Sequence, residues 1–246
     1  MTRDAGDERL SGSGENDLTA NRTRVRGLSR ADVWDHENGY NWFAPPNRMA
    51  KALAQYEIYK TIVGLPGDVL EFGVFKAASF IRFATFRRVL ENDDARALIG
   101  FDAFGVFPTR ALTLDGDHAF IENWERAGGD GLSVDEVAAL LAGKGFSNTE
   151  LVAGNVFDTL PDFLEAHPAL RIALLHLDMD VLEPTAFVLE HLYERVVAGG
   201  AIVIDDYTAV AGATQAVDDF MRNRRLALEK APYNKTPTVV RKPAGA

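Results

Sequence analysis

The strongest constraint on the fold is the stretch from Ile172 to Tyr207, in which two short apolar runs flank a helical pattern. The runs Ile172–Leu177 and Ala201–Ile204 are typical of parallel strands that are buried on both faces. Between them, apolar residues recur at helical spacing after Pro184, and Gly199-Gly200 is expected to end this helix. The stretch therefore predicts a βαβ unit within an α/β domain.

Acidic residues follow both apolar runs: Asp178 comes after the first, and Asp205 and Asp206 come after the second. A right-handed crossover leaves the carboxyl ends of both strands on one edge of the sheet, and neighbouring strands lie about 4.8 Å apart, so we expect these acids to converge. Close carboxylates repel one another unless a cation is bound, and hard oxygen ligands suit Mg²⁺, Ca²⁺ or Mn²⁺. Each acid alone could also be a helix cap or a solvated loop end, whereas the set predicts a cation site.

Composition excludes several classes of partner and site. The 246 residues carry a formal charge of −10 with no Lys/Arg-rich block, which argues against nucleic acid as a partner. The lack of cysteine excludes disulfides and thiolate metal sites. The sequence has no apolar run of about 18 residues, and residues 1–27 lack the apolar core of a secretory signal, so neither a membrane span nor secretion is expected. These features favour a cytoplasmic protein.

The N-terminal part of the chain changes from a polar to an aromatic composition along its length. Its first residues are polar and poor in apolar side chains, which predicts a flexible arm. Val33–Pro46 mixes aromatic and polar residues, and it is either a clamp over the edge of the domain or a lid over a site. Such an aromatic arm could also reach a second copy of the chain, which leaves a homo-oligomer open. An amphipathic helix is predicted over Arg48–Val63, and its expected buried residues are Met49, Leu53, Tyr56, Ile58, Tyr59 and Ile62. The expected organisation is an arm over 1–30, a lid and helix over 31–66 and the principal domain over 67–246.

A strand, a glycine turn and a helix open the principal domain. The strand is predicted over Asp68–Phe72, Gly73 follows in the turn, and the helix is predicted over Ala77–Leu90. Such a turn lets backbone approach a ligand while the helix N-terminus faces it. Phe75 and Ala78 replace the second and third glycines of the dinucleotide pattern G-x-G-x-x-G, which disfavours an NAD-dependent oxidoreductase and favours a ligand with a smaller anionic group.

An acid follows the second predicted strand, Arg96–Phe101. Asp102 lies about 30 residues after the first turn, where a ribose diol is usually held in folds of this kind. Alone, Asp102 could be an N-cap or a surface acid, but together with the glycine turn it predicts a nucleoside ligand. The following segment, Phe104–Gly131, is expected to be a long irregular loop, and loops of this length are usually functional.

The remaining expectations concern helices, strands and buried faces. The further predicted elements are a helix from the capping-box sequence Ser133–Glu136, a strand over Thr149–Ala153, a helix over Ala213–Arg224 and closing strands over Leu226–Glu229 and Thr238–Arg241. On the helix Ala77–Leu90, the apolar side contains Phe80, Ile81, Ala84 and Val89, and the polar side contains Arg82, Arg87 and Arg88. His176 alternates with Asp178 on the strand, and a buried core histidine is the favoured interpretation over a side chain at the site.

From Gly67 to Phe220 the chain resembles the macrocin O-methyltransferase family. The matching stretches, in order, are GDVLEFGVFKAASF, GFDAF with Pro108, AGNVFDTLP, LHLDMDVLEPT and GGAIVIDDY followed by QAVDDF. One departure lies in the first turn, where Ala77-Ala78-Ser79 replaces the usual Gly-Gly-Ser. The resemblance implies a Rossmann-like class I methyltransferase with a mostly parallel seven-stranded sheet and helices on both faces. It also implies transfer of a methyl group from S-adenosylmethionine to a sugar hydroxyl, with a divalent cation.

The resemblance also implies roles for single residues. Those that it assigns to the cofactor are Glu71 and Gly73 at the methionine portion, Ser79 near its carboxylate, Asp102 at the ribose hydroxyls, and Asn155 and Asp158 beside the adenine. Those that it assigns to the metal are Asp178, Asp205 and Asp206. Asp178 is the first candidate for the proton acceptor, and Asp180 and His118 are the alternates. The acceptor would be a small molecule that contains a sugar, either nucleotide-linked or attached to a natural product.

Two alternative functions stay open at this point. A haloacid dehalogenase-type phosphohydrolase would use Asp178-Met179-Asp180-Val181 as its nucleophile motif, but the Ser/Thr strand and the phosphate-binding lysine that this fold needs do not fit between Asp178 and Asp205. A non-catalytic relative would bind nucleoside and cation without turnover, and the retained acids argue against it.

Overall fold

The computed structural model describes residues 24–244, and the chain divides after Ala44 into two compact units. Within the smaller unit, the described elements are the antiparallel strands β1 (Arg24–Val25) and β2 (Leu28–Ser29), a 3-10 turn (Arg30–Asp32) and helix α1 (Val33–Phe43). The aromatic segment predicted as a clamp or lid is largely this helix, and Trp42 and Phe43 are exposed on it. Most of the predicted flexible arm lies outside the described residues.

Helices and strands alternate in the larger unit, which begins at Pro45. Its elements in chain order are α2 (Pro46–Lys60), β3 (Asp68–Phe72), α3 (Ala78–Leu90), β4 (Leu98–Asp102), α4 (Asp115–Gly128), α5 (Val134–Gly143), β5 (Thr149–Ala153), α6 (Val156–Ala166), β6 (Ile172–Leu177), α7 (Leu182–Leu192), a 3-10 turn (Tyr193–Arg195), β7 (Val196–Ile204), α8 (Ala211–Met221), β8 (Leu228–Lys230) and β9 (Thr238–Arg241). Among residues 24–244, no helix combines the length and the apolar character that crossing a bilayer requires.

Seven strands form one mostly parallel sheet in the order β5-β4-β3-β6-β7-β9-β8. The first five of these pair in parallel, and β9 runs antiparallel to both β7 and β8. The predicted α/β architecture is therefore confirmed. Strand order reverses between β3 and β6, and ligands of open α/β sheets bind beside such a switch point at the carboxyl ends of the strands. Phe72 pairs with Leu177 and Leu177 pairs with Ile204, so β3, β6 and β7 end at the same level.

Side chains of the central strands alternate between two buried layers. One layer contains Leu175 and Leu177 of β6 and packs against apolar residues of α6, α7 and α8. The opposite layer contains His176, whose ring lies 5.2 Å from that of Phe83 in α3. Glu71 pairs with His176 across β3 and β6, so both side chains face the α3 layer. The sheet is thus covered on both faces, as the near-continuous apolar strands require.

The helix before β7 ends earlier than predicted. It stops at Leu192, and Gly199-Gly200 lies inside β7 instead of ending the helix. The pairing of β6 with β7 shifts between Ile172 and Leu174, and the two glycines occupy the extra length on β7. Gly199 has φ +79°, and a β-carbon at Gly200 would lie 2.8 Å from the Val197 carbonyl oxygen. The two glycines therefore allow an irregularity in strand β7, and the prediction that they end the preceding helix was wrong.

The segment Phe104–Gly131 is not an irregular loop throughout, because α4 occupies its second half. The prediction of an irregular segment was wrong there, because Ile121 and the aromatic residues of this stretch do recur at helical spacing. Two acids lie in the first turn of α4, where the helix dipole favours them, and Ile121 is buried. Gly129, read as part of a loop, follows the helix end with φ +63°.

The buried faces of α2 and α3 also differ from prediction. Met49 and Leu53 were expected to be buried, but 42% and 48% of their surfaces are exposed. On α3, Val89 is exposed, whereas Arg87, expected on the polar side, is completely buried. The Arg87 guanidinium donates to the carbonyl oxygens of Arg96 and Asn148, each at 2.8 Å. Paired in this way, a cation can occupy the interior that helical periodicity assigns to apolar residues.

Candidate functional site

A cavity of about 350 Å³ opens at the carboxyl edge of the sheet, a size typical of small-molecule sites. The residue that follows or ends each of four strands contributes to its wall. These are Gly73 after β3, Asp102 at the end of β4, Gly154-Asn155 after β5 and Asp178 after β6. The cavity therefore lies at the predicted edge and brings together residues that are widely separated in sequence.

Gly73 is required by the close approach of two strand ends. It has φ +91°, and a β-carbon at this position would lie 1.9 Å from the carbonyl oxygen of Asp178. The Asp178 amide donates to the Phe72 carbonyl at 2.9 Å, which holds the two segments together. The glycine that sequence analysis assigned to ligand approach thus also permits the contact between the ends of β3 and β6.

Asp102 connects the loops after β3 and β4. Its carboxylate accepts hydrogen bonds from the backbone amides of Phe75 at 2.8 Å and Phe104 at 2.7 Å. Both of these residues have left-handed φ angles, 49° and 50°, so the carboxylate holds two strained turns. Each carboxylate oxygen accepts one of these bonds and retains capacity for a further donor, such as a ribose hydroxyl.

The two residues predicted beside the adenine lie in different surroundings. Asn155 lines the cavity and caps α6, since its side-chain oxygen accepts from the Phe157 amide at 3.1 Å. Asp158 is not among the residues that line the cavity. Its side chain is 59% exposed and forms an ion pair with Arg110 at 2.6 Å.

Glu71 and Ser79 form a buried pair at the base of α3. The Ser79 hydroxyl donates to Glu71 at 2.7 Å. Ser79 lines the cavity, whereas Glu71 is completely buried behind it. The other oxygen of Glu71 lies 3.4 Å from Nδ1 of His176. The structure thus places Ser79, but not Glu71, where a ligand in the cavity can contact it.

Four carboxylates, which we call the acid cluster, meet at the ends of β6 and β7. Asp178, Asp180 and Asp206 have oxygen atoms within 4.8 Å of one another, and the same limit holds for ligand atoms of His176, Asp178 and Asp205. Asp178 and Asp180 line the cavity, while Asp205 and Asp206 are buried. The structure therefore brings together the three acids predicted to bind a metal, and it adds Asp180.

Most of the acid cluster resists ionisation. Burial, reinforced by the charges of Asp205 and Asp206, raises the pKa of Asp178 well above its usual range. Burial and the charge of Asp180 raise the pKa of Asp206 in the same way. The pKa of Asp180 rises to about 8, again through burial and then the charge of Asp178. Such a set of oxygen ligands fits a hard divalent cation, which would relieve the mutual repulsion.

Asp205 is the exception, because cationic side chains approach both of its oxygens. Lys51 of α2 donates to Oδ2, and Nε2 of His176 lies 3.8 Å from Oδ1. Burial opposes ionisation of Asp205, but His176 and Lys51 outweigh it and lower the pKa. Oδ1 has no hydrogen-bond partner within residues 24–244, and it is the kind of buried oxygen that a metal ion could satisfy.

Lys51 is a site residue that no sequence motif predicts. It lines the cavity, and although burial alone would lower its pKa, the charges of Asp178 and Asp205 raise the pKa overall. The ammonium group therefore stays charged. No residue pattern distinguishes Lys51 from Lys60 on the same helix, because the difference arises only from the packing of α2 against the sheet.

Two histidines were considered as candidate site residues, and they differ in burial. His176 is completely buried, as expected for a core histidine, and it lies between Glu71 and Asp205. Burial alone would lower the pKa of His176, yet the carboxylates of Asp205 and Glu71 raise it to about 10. His118 lies on α4, where it is exposed and is not among the residues that line the cavity.

The sheet order and the cavity at its carboxyl edge define a class I methyltransferase fold. More narrowly, the profile of the family described as macrocin-O-methyltransferase (TylF) matches residues 45–240, and the chain belongs to this family. The resemblance found in the sequence motifs is thereby confirmed. The phosphohydrolase alternative is not favoured.

Similar proteins act on sugar-containing molecules, according to their names. The 8-demethyl-8-(2,3-dimethoxy-alpha-L-rhamnosyl)-tetracenomycin-C 4'-O-methyltransferase of Streptomyces olivaceus is 30% identical over 64% of this chain and 59% of its own length. The mycinamicin III 3''-O-methyltransferase of Micromonospora griseorubida is 31% identical over 64% of this chain and 61% of its own length. The matches thus span about three fifths of these curated relatives.

A solved structure extends the likeness over nearly the whole chain. It is that of CalS11, a TDP-rhamnose 3'-O-methyltransferase of calicheamicin biosynthesis. The TM-score is 0.62 at 25% sequence identity, and the alignment covers 91% of this chain and 90% of the other. This likeness supports the fold assignment.

Proposed function

We propose that this protein transfers a methyl group from S-adenosylmethionine to a hydroxyl of a sugar, with a divalent cation bound at the acid cluster. The proposal depends on one observation: the candidate nucleoside-binding residues and the acid cluster line the same cavity. Asp102 and Asn155 line it on one part, and Asp178 and Asp180 line it on another. A nucleoside-containing methyl donor and a metal-bound acceptor would meet between them.

The cofactor would be held along the ends of β3, β4 and β5. Asp102 would accept hydrogen bonds from the ribose hydroxyls while it keeps its two backbone donors. Asn155 would lie beside the adenine, and Ser79, with the turn at Gly73, would face the methionine end. Glu71 is proposed to act through Ser79, whose hydroxyl it orients. The assignment of Asp158 to the adenine side rests on the family resemblance.

Asp178, Asp205 and Asp206 would hold the cation. When bound, a divalent cation lowers the pKa of a coordinated hydroxyl, and Mg²⁺, Ca²⁺ or Mn²⁺ would suit these oxygen ligands. Two observations support the fit: Oδ1 of Asp205 has no hydrogen-bond partner in the part of the chain that the structure describes, and the pKa values of Asp178 and Asp206 are raised. Both features are costly in a folded protein unless positive charge is supplied.

The chain's own contribution to methyl transfer is position and a proton acceptor. Transfer breaks the carbon–sulfur bond of the sulfonium and forms a carbon–oxygen bond in line with it, so the orientation of the two ligands controls much of the rate. The hydroxyl proton must leave, and Asp178, which lines the cavity, is our first candidate to accept it. Asp180 also lines the cavity and is the second candidate. His118 stays a weaker candidate because of its exposed position.

Mass spectrometry tests the proposal directly. The protein is incubated with S-adenosylmethionine that carries a labelled methyl group and with a panel of sugars, including TDP-rhamnose and glycosylated natural products that lack one O-methyl group. Label is expected in an acceptor, and a chelator is expected to abolish the transfer until Mg²⁺ is restored. Binding of S-adenosylhomocysteine and cation without transfer to any acceptor would favour the non-catalytic relative. Transfer that a chelator leaves unchanged would contradict the role of the cation.

A further inference from the structure

Basic side chains approach the acid cluster at Asp205. Within residues 24–244, Lys51 donates to Oδ2 of Asp205, and Nε2 of His176 lies 3.8 Å from Oδ1 of the same residue. Asp178, Asp180 and Asp206 complete the cluster. Lys51 therefore already contacts one of the carboxylates that we propose as metal ligands.

Lys51 reaches Asp205 from the cavity side. Its ammonium group donates to Oδ2 of Asp205, and 26% of its side chain is exposed against 7% for Asp205. Lys51 also lines the cavity, so its side chain has open space beside it. The four-carbon stem of a lysine is flexible, whereas Asp205 directly follows the buried strand β7. Of the two partners, Lys51 is the one that can move.

We propose that Lys51 is a built-in competitor of the divalent cation: its ammonium group neutralises Asp205 when the ion is absent and withdraws into the cavity when the ion binds. This inference rests on the proposed function, because it requires a cation at the acid cluster. It adds a role for a residue of α2 that neither the sequence motifs nor the resemblance assigns.

The physical reason is a balance between two kinds of positive charge. An ammonium group is a compact point charge with three donors, and it offsets part of the repulsion among the acids. A divalent ion carries twice that charge and can contact several carboxylates at once. The two cations repel each other at the same carboxylate, so the bound ion must overcome the attraction between Lys51 and Asp205. Removal of Lys51 should therefore strengthen binding of the ion.

Titration calorimetry with Mn²⁺ alone, in metal-free buffer, tests this competition. Lys51→Met is expected to bind Mn²⁺ at least about tenfold more tightly than the unchanged protein, since one opposing charge is lost. Lys60→Met is the matched control, because Lys60 lies on the same helix but pairs with Glu57 at 3.1 Å on an exposed surface. It should leave the affinity unchanged. Equal or weaker binding by Lys51→Met would overturn the inference.

Thermal denaturation supplies a second measurement that does not depend on activity. In chelator, Lys51→Met should melt below the unchanged protein, because the acids lose a neutralising charge. Added Mn²⁺ should then raise the melting temperature of Lys51→Met by more than it raises that of the unchanged protein. If Lys51→Met does not fold, Lys51→Gln, which keeps a polar group, is measured with the same expectations. Equal increases in both proteins would again overturn the inference.

The outcomes separate the two proposals. If neither the unchanged protein nor the Lys51 variants bind Mn²⁺, the cation itself is refuted, and the competition is refuted with it. If all of them bind Mn²⁺ with the same affinity, the cation site stands and only the role of Lys51 is wrong. Tighter binding confined to the Lys51 variants supports both.

Discussion

A β-carbon on residue 73 would lie 1.9 Å from the carbonyl oxygen of Asp178, so Gly73 and Asp178 are in contact through main-chain atoms. The φ angle of Gly73, +91°, is also one that other residues rarely adopt. The first turn of the proposed cofactor site and the first acid of the proposed metal site are thus positioned by the same contact. Any side chain at position 73 would have to separate them.

Gly73→Ala is expected to lower the free energy of unfolding by about 3 kcal/mol, from backbone strain and overpacking together. Urea denaturation measures the change. Gly116→Ala is the control, because Gly116 lies in α4 with nothing within 4 Å of an added β-carbon. It should not destabilise the protein, since alanine favours helix. Equal stability of Gly73→Ala and the unchanged protein would show that the two strand ends can separate freely.

Asp102→Ala is expected to weaken binding of S-adenosylhomocysteine by at least about tenfold. The carboxylate would be lost as an acceptor for the ribose, and the amides of Phe75 and Phe104 would lose their partner. Titration calorimetry measures the affinity. Asp162→Ala, an exposed acid on α6, is the control for the change in net charge. Unchanged binding by Asp102→Ala would remove Asp102 from the cofactor site.

The acids of the proposed metal site are expected to differ in their effect on stability. Asp205→Asn should destabilise the protein in chelator by about 3 kcal/mol, because the buried end of Lys51 loses the carboxylate that it contacts and His176 keeps Glu71 alone beside it. Asp206→Asn should change stability little or increase it, since burial and neighbouring acids already oppose its charge. Both variants should lose methyl transfer. Urea denaturation in chelator, compared with turnover in Mg²⁺, distinguishes the two effects, and similar stability losses in both variants would contradict this view.

Acid stability should depend on Asp93. Burial would raise its pKa, but the Arg88 guanidinium and the Ser147 amide, which donates at 2.8 Å, outweigh it and lower the pKa to about 2. A carboxyl whose pKa is lower in the folded state stabilises the fold above its unfolded pKa, near 4, and this contribution is lost as pH falls towards 2. Asp93→Asn should therefore cost about 2 kcal/mol at pH 7 and flatten the loss of stability between pH 4 and 2.

Denaturant titrations at several pH values measure this dependence. The neighbouring Asp94→Asn is the control, because Asp94 is exposed. If Asp93→Asn and the unchanged protein lose stability in parallel between pH 4 and 2, the linkage assigned to Asp93 is wrong.

The strands and the acids that follow them were predictable from sequence because both depend on local patterns. The bounds of β3, β5, β6 and β9 agree with the apolar runs that predicted them. Once β6 and β7 are neighbours, chain geometry alone brings Asp178 to Asp205. The strand pattern therefore determines most of the acid cluster.

Long cationic side chains escaped prediction, because their position depends on tertiary packing. Arg87 was expected on a polar face but is buried, and Lys51 looked like any helical lysine. Helical periodicity predicts that both side chains are exposed to solvent, yet each donates hydrogen bonds to oxygen atoms inside the protein. For Glu71, the family resemblance implies a place at the methionine end of the cofactor, and tertiary packing buries this side chain behind Ser79.

The contact between Gly73 and Asp178 has a consequence for the choice of acceptor. Main-chain atoms make this contact, whereas side chains such as those of Phe107 and Trp124 line the cavity elsewhere. Under the proposed function, substitutions at such side chains would change which sugar fits without moving the turn at Gly73 relative to Asp178. Alignment of the methyl donor with the hydroxyl would then be fixed by the main chain, and fit to the recipient by replaceable side chains, an arrangement suited to engineering regioselective alkylation.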